Sequence, residues 1–181
     1  MNTVYMPEGQ ANVELCYPAQ DGQFEALYSA INGTPRLGTW QSPRMRLVKR
    51  DGAKRLVDSD SPWLGAFALI FRSGVVDRVE PLLGPFGEFL PLDCDDADLR
   101  VFNATRVLDA LDAGSADVAR FDDGRIMRVR RYAFRPDVVE GVDVFKLTGL
   151  RVSPTFLSQR VVDALRASGL RGLDYVKVWS G

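Results

Sequence analysis

Apolar positions along this chain fall in short groups whose period switches between two and about 3.6, predicting brief strands and helices in alternation. The densest group runs from Pro62 to Leu92, PWLGAFALIFRSGVVDRVEPLLGPFGEFLPL. Leu64 to Phe71 is an apolar run of strand length bounded by Pro62 and by Ser73-Gly74. Ser73 reads as an N-cap, and Val75, Val76, Val79, Leu82 and Leu83 follow at helical spacing. Gly84-Pro85 stops that helix, and Phe86 to Leu92 is a second strand closed by Pro91.

Before this stretch, Thr3 to Met6 predicts a first strand, Asn12 to Tyr17 an edge strand, and Phe24 to Ile31 a short helix ended by Asn32-Gly33. Thr34 to Ser61 is rich in Pro, Gly and charge, with a weak strand at Met45 to Val48, and reads as a linker or mobile arm. After Leu92 comes the acidic turn DCDDAD, then a strand from Leu99 to Phe102. Val107, Leu108 and Leu111 suggest a helical turn or two, with Gly114 past its end. Asp122-Asp123-Gly124 between two extended runs, Val118 to Phe121 and Ile126 to Phe134, is a hairpin signal. Val142 to Leu147 and Thr155 to Leu157 are strands, Ser158 caps a helix with Val161, Val162 and Leu165 on its inner face, and Gly169 lies just past its end. Leu173 to Trp179 is the last strand. The ending echoes the central stretch: each has an apolar run, a serine, a Val-Val-Asp, and a glycine eleven residues after the serine. They are either a degenerate repeat or two independent strand-helix-strand units. The pattern as a whole predicts an α+β fold, a mixed and mainly antiparallel sheet with a few short helices packed on one face. We read residues 1–181 as a single domain, 1–60 its variable N-terminal region and 61–180 its core.

Composition narrows the chemistry. With 181 residues the chain is long enough to close a core without staples. It has no histidine, which removes Ser-His-Asp and Cys-His nucleophile activation and His-ligated zinc. The net charge of -1 argues against a general nucleic-acid binder. Cys16 and Cys94 have no CxxC spacing and read as buried thiols of a reducing compartment. No signal pattern opens the chain, and the longest apolar run is far short of the ~20 residues that span a bilayer, so the expected location is the cytoplasm, away from membranes.

Two charged constellations remain. Asp93, Asp95, Asp96 and Asp98, with Glu88 nearby, offer carboxylate oxygens to a cation, but the spacing fails the calcium loop: Asp98 stands where Gly is required and Ala104 where Glu is expected. The bland reading is a solvated turn; the functional one is a patch for a basic protein partner. The basic runs are Arg44 to Arg55 and Arg125, Arg128, Arg130 and Arg131; in a regular strand Arg128 and Arg130 share a face with Ile126 and Tyr132. The expected role is a charged outer sheet face, with no nucleic-acid partner. No phosphate-cradling loop and no GxSxG elbow occurs. Trp40, Trp63 and Trp179 read as core or interface anchors.

The series Pro62-Trp63-Leu64-Gly65, Gly87-Glu88-Phe89-Leu90-Pro91-Leu92, Asn103-Ala104-Thr105, Asp109-Ala110-Leu111-Asp112, Phe134-Arg135-Pro136, Phe145-Lys146-Leu147, Gly169-Leu170-Arg171-Gly172-Leu173 and Val178-Trp179-Ser180 resembles a known family. It is similar to bacterial polymorphic-toxin immunity proteins, long catalogued as a domain of unknown function and named after a myxobacterial member. The resemblance covers about Ser61 to Ser180. It implies a non-enzymatic protein that binds and neutralises a cognate toxin or effector made by the same cell, with no catalytic residue, metal or cofactor. The residues expected to touch the toxin are Asp93, Asp95, Asp96 and Asp98, mimicking a polyanionic substrate before a basic active site, and Trp40. The alternative is a metal-dependent hydrolase or phosphoryl-transfer enzyme using Asp93, Asp95 and Glu88. Self-association is left open.

Overall fold

The computed structural model describes residues 2–181. The chain opens with β1 (Thr3–Gly9), β2 (Leu15–Pro18) and α1 (Phe24–Ala30), followed by β3 (Arg44–Val48), β4 (Arg50–Asp51) and β5 (Lys54–Arg55). The central stretch forms β6 (Leu69–Arg72), α2 (Ser73–Leu83), a 3-10 turn at Gly84–Phe86, and β7 (Gly87–Cys94). Then come β8 (Leu99–Ala104), β9 (Val107–Leu108), β10 (Asp117–Arg120), β11 (Ile126–Arg131), α3 (Pro136–Val139) and β12 (Val144–Leu147). The chain closes with β13 (Phe156–Ser158), α4 (Gln159–Ala167) and β14 (Leu173–Ser180).

The expected α+β class holds, with antiparallel pairing dominant and few short helices. The strands form two five-stranded sheets, ordered β14-β1-β13-β12-β9 and β2-β3-β7-β8-β6, and two small hairpins. The longer helices, α2 and α4, lie together on one layer between the sheets. Val75, Val76, Val79 and Leu83 of α2 and Val161, Val162 and Leu165 of α4 share one cluster with Leu69, Phe71 and Phe102 of one sheet and Val144 and Leu157 of the other. Strand alternation sends neighbouring residues the opposite way. Ile70, Leu90, Leu99 and Val101 pack toward α1, and Phe145 and Phe156 pack toward Phe134 and Val139. Each fully buried Val or Leu of this layer contributes roughly 1.5–3 kcal/mol of transfer free energy.

The two strand-helix-strand units have one topology. β6 and β7 flank β8 and run antiparallel to it, with α2 crossing over; β13 and β14 flank β1 and run antiparallel to it, with α4 crossing over. The strand between them follows the first unit in sequence but is the N-terminal strand in the second. In consequence the first and last described residues pair: Asn2 N donates to Gly181 O at 2.8 Å and Gly181 N to Asn2 O at 3.0 Å.

Local chemistry explains where sequence expectations held. Ser158 caps α4, its hydroxyl accepting from Val161 N, which is typically worth about 1 kcal/mol. Gly169 has φ +68 and Gly124, in the β10–β11 turn, φ +84, both conformations that cost other residues strain. Elsewhere tertiary contacts overrode local signals. Arg72, not Ser73, occupies the N-cap position of α2; the Ser73 hydroxyl is buried with no partner among the described residues. That helix start is set by Arg72, whose Nε donates to Ser59 O at 2.7 Å while its guanidinium pairs with buried Glu14. Val107 and Leu108 form a strand rather than a helical turn, because Lys146 N and Thr148 N donate to Arg106 O and Leu108 O. Pro91 does not end its strand, which continues to Cys94. Its missing N–H faces the side where no ladder partner is needed, and its carbonyl there accepts the Trp40 indole.

Candidate functional site

The acidic residues of the β7–β8 turn sit beside the basic residues of β3. Arg44 and Asp93 are paired residues of adjacent parallel strands, and Asp93 N donates to Pro43 O at 3.1 Å. Arg44 Nη1 reaches Asp93 Oδ1 at 2.8 Å, and Nη2 pairs with Asp95. The hydrogen bond and charge of Asp93, followed by the charge of Asp95, push the Arg44 guanidinium above its ordinary value. Lys49 Nζ lies 3.8 Å from Asp96 Oδ1, while Asp96 Oδ2 accepts from Leu47 N at 3.2 Å. Asp98 is exposed; its backbone oxygen accepts from Ser73 N at 2.9 Å, and its carboxylate makes no ion pair among the described residues. So three of the four aspartates have an internal cation, and the turn is a mixed-charge surface rather than a bare anionic one.

Trp40 is fastened to β7 just before that turn. It is half-buried, and its Nε1 donates to Pro91 O at 2.7 Å, two residues before Asp93. Beside it a groove of about 230 Å³ opens between α1 and the segment 40–44, lined by Pro18, Leu27, Ala30, Trp40, Pro43 and Arg44. The groove and the acidic turn share Arg44, which lines the one and pairs with Asp93 and Asp95 of the other, whereas Asp98 stands at the turn's far end against Ser73. The structure also corrects the linker reading of residues 34–61: β3 lies between β2 and β7 in the second sheet, with Met45 and Leu47 buried against Cys16 and Leu90.

Glu88, the third carboxylate of the hydrolase alternative, lies apart from Asp93 and Asp95. Glu88 and Asp93 are five residues apart along β7, which at ~3.3 Å per residue separates them by about 17 Å and turns them to opposite faces. Glu88 instead accepts from Arg36 N at 2.8 Å and Leu37 N at 3.2 Å, fastening the loop after α1. Among the described residues no group of three or more His, Cys, Asp or Glu is placed to hold a metal ion. No described helix is long and apolar enough to cross a membrane.

The second charged surface is the β10–β11 hairpin. Its register slips twice, after Asp117 and after Ala119, so the regular alternation expected of Ile126 to Tyr132 is broken. Ile126 and Val129 are half-buried, whereas Met127, Arg128, Arg130 and Arg131 are exposed. Arg130 pairs with Asp117 at 3.3 Å and Arg125 with Asp123 at 2.7 Å.

Buried charge was the feature that sequence reasoning missed. Glu14 is fully buried, and its carboxylate takes Arg72 and Ser59 N, joining the loop before β6 to β2. Lys146 is 1% exposed; its Nζ donates to Phe67 O at 2.6 Å and Ser153 O at 3.4 Å. Burial pulls its ammonium down from the usual lysine range to about 7. Nothing in a single sequence separates these two from the surface charges around them. Cys16 and Cys94 are both free thiols; Cys16 is buried and Cys94 half-buried. Burial, followed by the neighbouring Cys94, pushes the Cys16 thiol up.

Residues 96–180 match the model of the Immunity protein family (Imm11). This chain resembles immunity proteins. The immunity match takes in the quoted motifs from Asn103 onward, together with β8 to β14, the arginine hairpin, Lys146 and most of the acidic turn's exit. The motifs at Pro62 and Gly87 lie before it. No curated protein matches the chain.

Proposed function

We propose that this protein is an immunity protein that binds and neutralises a cognate toxin by direct contact and catalyses no reaction itself. The observation that carries the reading is the match of residues 96–180 to the Immunity protein family (Imm11). An immunity family implies an inhibitor, and the placement of Glu88 away from Asp93 and Asp95, two carboxylates already taken by Arg44, favours it over the hydrolase alternative. The toxin is the partner; nucleic acid, membrane and cofactor are not part of the mechanism, and the protein acts in the cytoplasm, where a toxin made by the same cell must be held in check. Residues 1–181 act as one domain, whose first sixty residues adapt a common core to one toxin.

We place a first contact on the face built by Trp40, Asp93, Asp95, Asp96 and Asp98. An aromatic side chain over a groove, rimmed by charge, is the composition of a binding hot spot. Arg44 and Lys49 hold Asp93, Asp95 and Asp96 in place, so these three meet the partner preorganised. The exposed carboxylates of Asp95 and Asp98 then face a basic region of the toxin, which speeds encounter more than it adds affinity. The decisive experiment is co-expression with the C-terminal domain of the toxin encoded by the neighbouring gene, followed by pull-down. Restored growth and a stable complex are expected. A toxin domain that stays lethal and unbound refutes the reading, and metal-dependent turnover of a phosphoester by the purified protein refutes its non-enzymatic part.

A further inference from the structure

We infer that the arginine hairpin β10–β11 is a second toxin-contact element, and that it fits an acidic surface on that toxin. The inference rests on the toxin-binding reading above and adds a surface and its chemistry.

The hairpin does nothing for the core. No residue from Asp112 to Arg131 enters any of the three buried clusters. Among the described residues β10 and β11 pair only with each other, apart from a single bridge between Ile126 and Leu150. An isolated two-stranded ribbon is marginal in water, so its residues are free to be chosen for recognition. What they present is unusual for a solvated face. Residues 117–131 carry five arginines against three aspartates, a local excess of positive charge on a chain whose net charge is -1. Among the described residues, Arg120, Arg128 and Arg131 have no carboxylate in ion-pair range. Arg120 and Arg131 reach only the carbonyls of Gly124 and Ser115. Apolar side chains stand among them: Met127 is 55% exposed and Phe121 43%, with the Arg125 guanidinium over the Phe121 ring at 5.7 Å.

Arg, Met and Phe are the residues that interface cores favour, and an unpaired guanidinium is a bidentate donor awaiting a carboxylate. A toxin carboxylate cluster supplies that acceptor. The position also suits a shared interface. Leu150, bridged to Ile126, precedes Arg151, which pairs with Glu25 of α1. Glu25 adjoins Ala26, which lines the groove beside Trp40. These contacts tie β11, through Leu150 and Arg151, to α1, the helix that also walls the groove beside Trp40.

The test measures binding of the neighbouring toxin's C-terminal domain to full-length protein. The forms compared are wild type, Arg128→Glu with Arg130→Glu, the milder Arg128→Ala, and Asp95→Lys with Asp96→Lys. The double arginine reversal is expected to weaken binding at least about tenfold, mostly through slower association at low salt, and Arg128→Ala severalfold. Both should retain the wild-type circular dichroism spectrum and melting temperature. If wild type binds and both hairpin variants bind equally well, the hairpin assignment falls while the toxin-binding reading stands. If wild type does not bind, both fall. If the hairpin instead holds a single-stranded RNA oligonucleotide that about 200 mM salt releases, and toxin binding is unaffected by the variants, the surface belongs to nucleic acid and the assignment is overturned.

Discussion

The acidic turn and the arginine hairpin are both exposed and strongly charged, yet they are anchored in opposite ways. The turn closes two interior strands, and β3 and the residue just after it, lying alongside, supply Arg44 and Lys49 as its counter-charges. Its scaffold is the buried cluster of Met45, Leu47, Leu90, Leu92 and Leu99. The hairpin is bridged once, to Leu150 in the loop after β12, and keeps three arginines with no carboxylate in range among the described residues. A charge wired into the fold contributes to stability and presents a fixed shape; a charge left outside it is free to answer a partner.

That contrast can be broken most readily at Trp40. Trp40→Ala should cost about 2–3 kcal/mol, below the fully buried tryptophan range because the side chain is half-exposed, and lower the melting temperature by roughly 4–10 °C. A melt shifted by under a degree would mean that the 34–44 segment is detachable after all. Next comes the double reversal of Arg128 and Arg130, expected to weaken toxin binding by at least about tenfold, or about 1.4 kcal/mol, with an unchanged melt. A fall in stability matching the fall in binding would make the hairpin structural. Arg44→Ala leaves Asp93 and Asp95 facing each other without their cation; because all three are about half-exposed or more, the loss should be about 0.5–1 kcal/mol in urea unfolding and should shrink toward zero in 1 M salt. The same loss at high salt would show that Arg44 acts through packing. Smallest of all, Phe121→Ser and Met127→Ser should each change unfolding free energy by no more than about 0.5 kcal/mol, while weakening toxin binding. A larger destabilisation would place the hairpin in the core's cooperative unit.

Much of this architecture was legible in advance. The Ser158 cap, the apolar face of α4 and the glycine after it are written within twelve residues, and the Asp-Asp-Gly turn of the hairpin within three, because caps and tight turns depend on near neighbours. The echo between the central and final stretches was visible too, although only strand pairing showed that each unit wraps its helix around one antiparallel strand. Ser73 illustrates the opposite case. It has the residue type of a cap, but the Glu14–Arg72 pair, drawn from 58 residues away, sets where α2 begins.

The chain's own order of residues settled the fold class, most strands, the longer helices, the absence of histidine chemistry and the resemblance to immunity proteins. Those properties follow from composition and from contacts a few residues long. Only the tertiary structure decided that the basic segment neutralises the acidic turn, that Trp40 stands beside it, that Glu88 is remote, and that Lys146 and Glu14 are buried. Each of these depends on which distant segments share a sheet, and charge carries no mark in sequence of the partner that long-range pairing will bring to it.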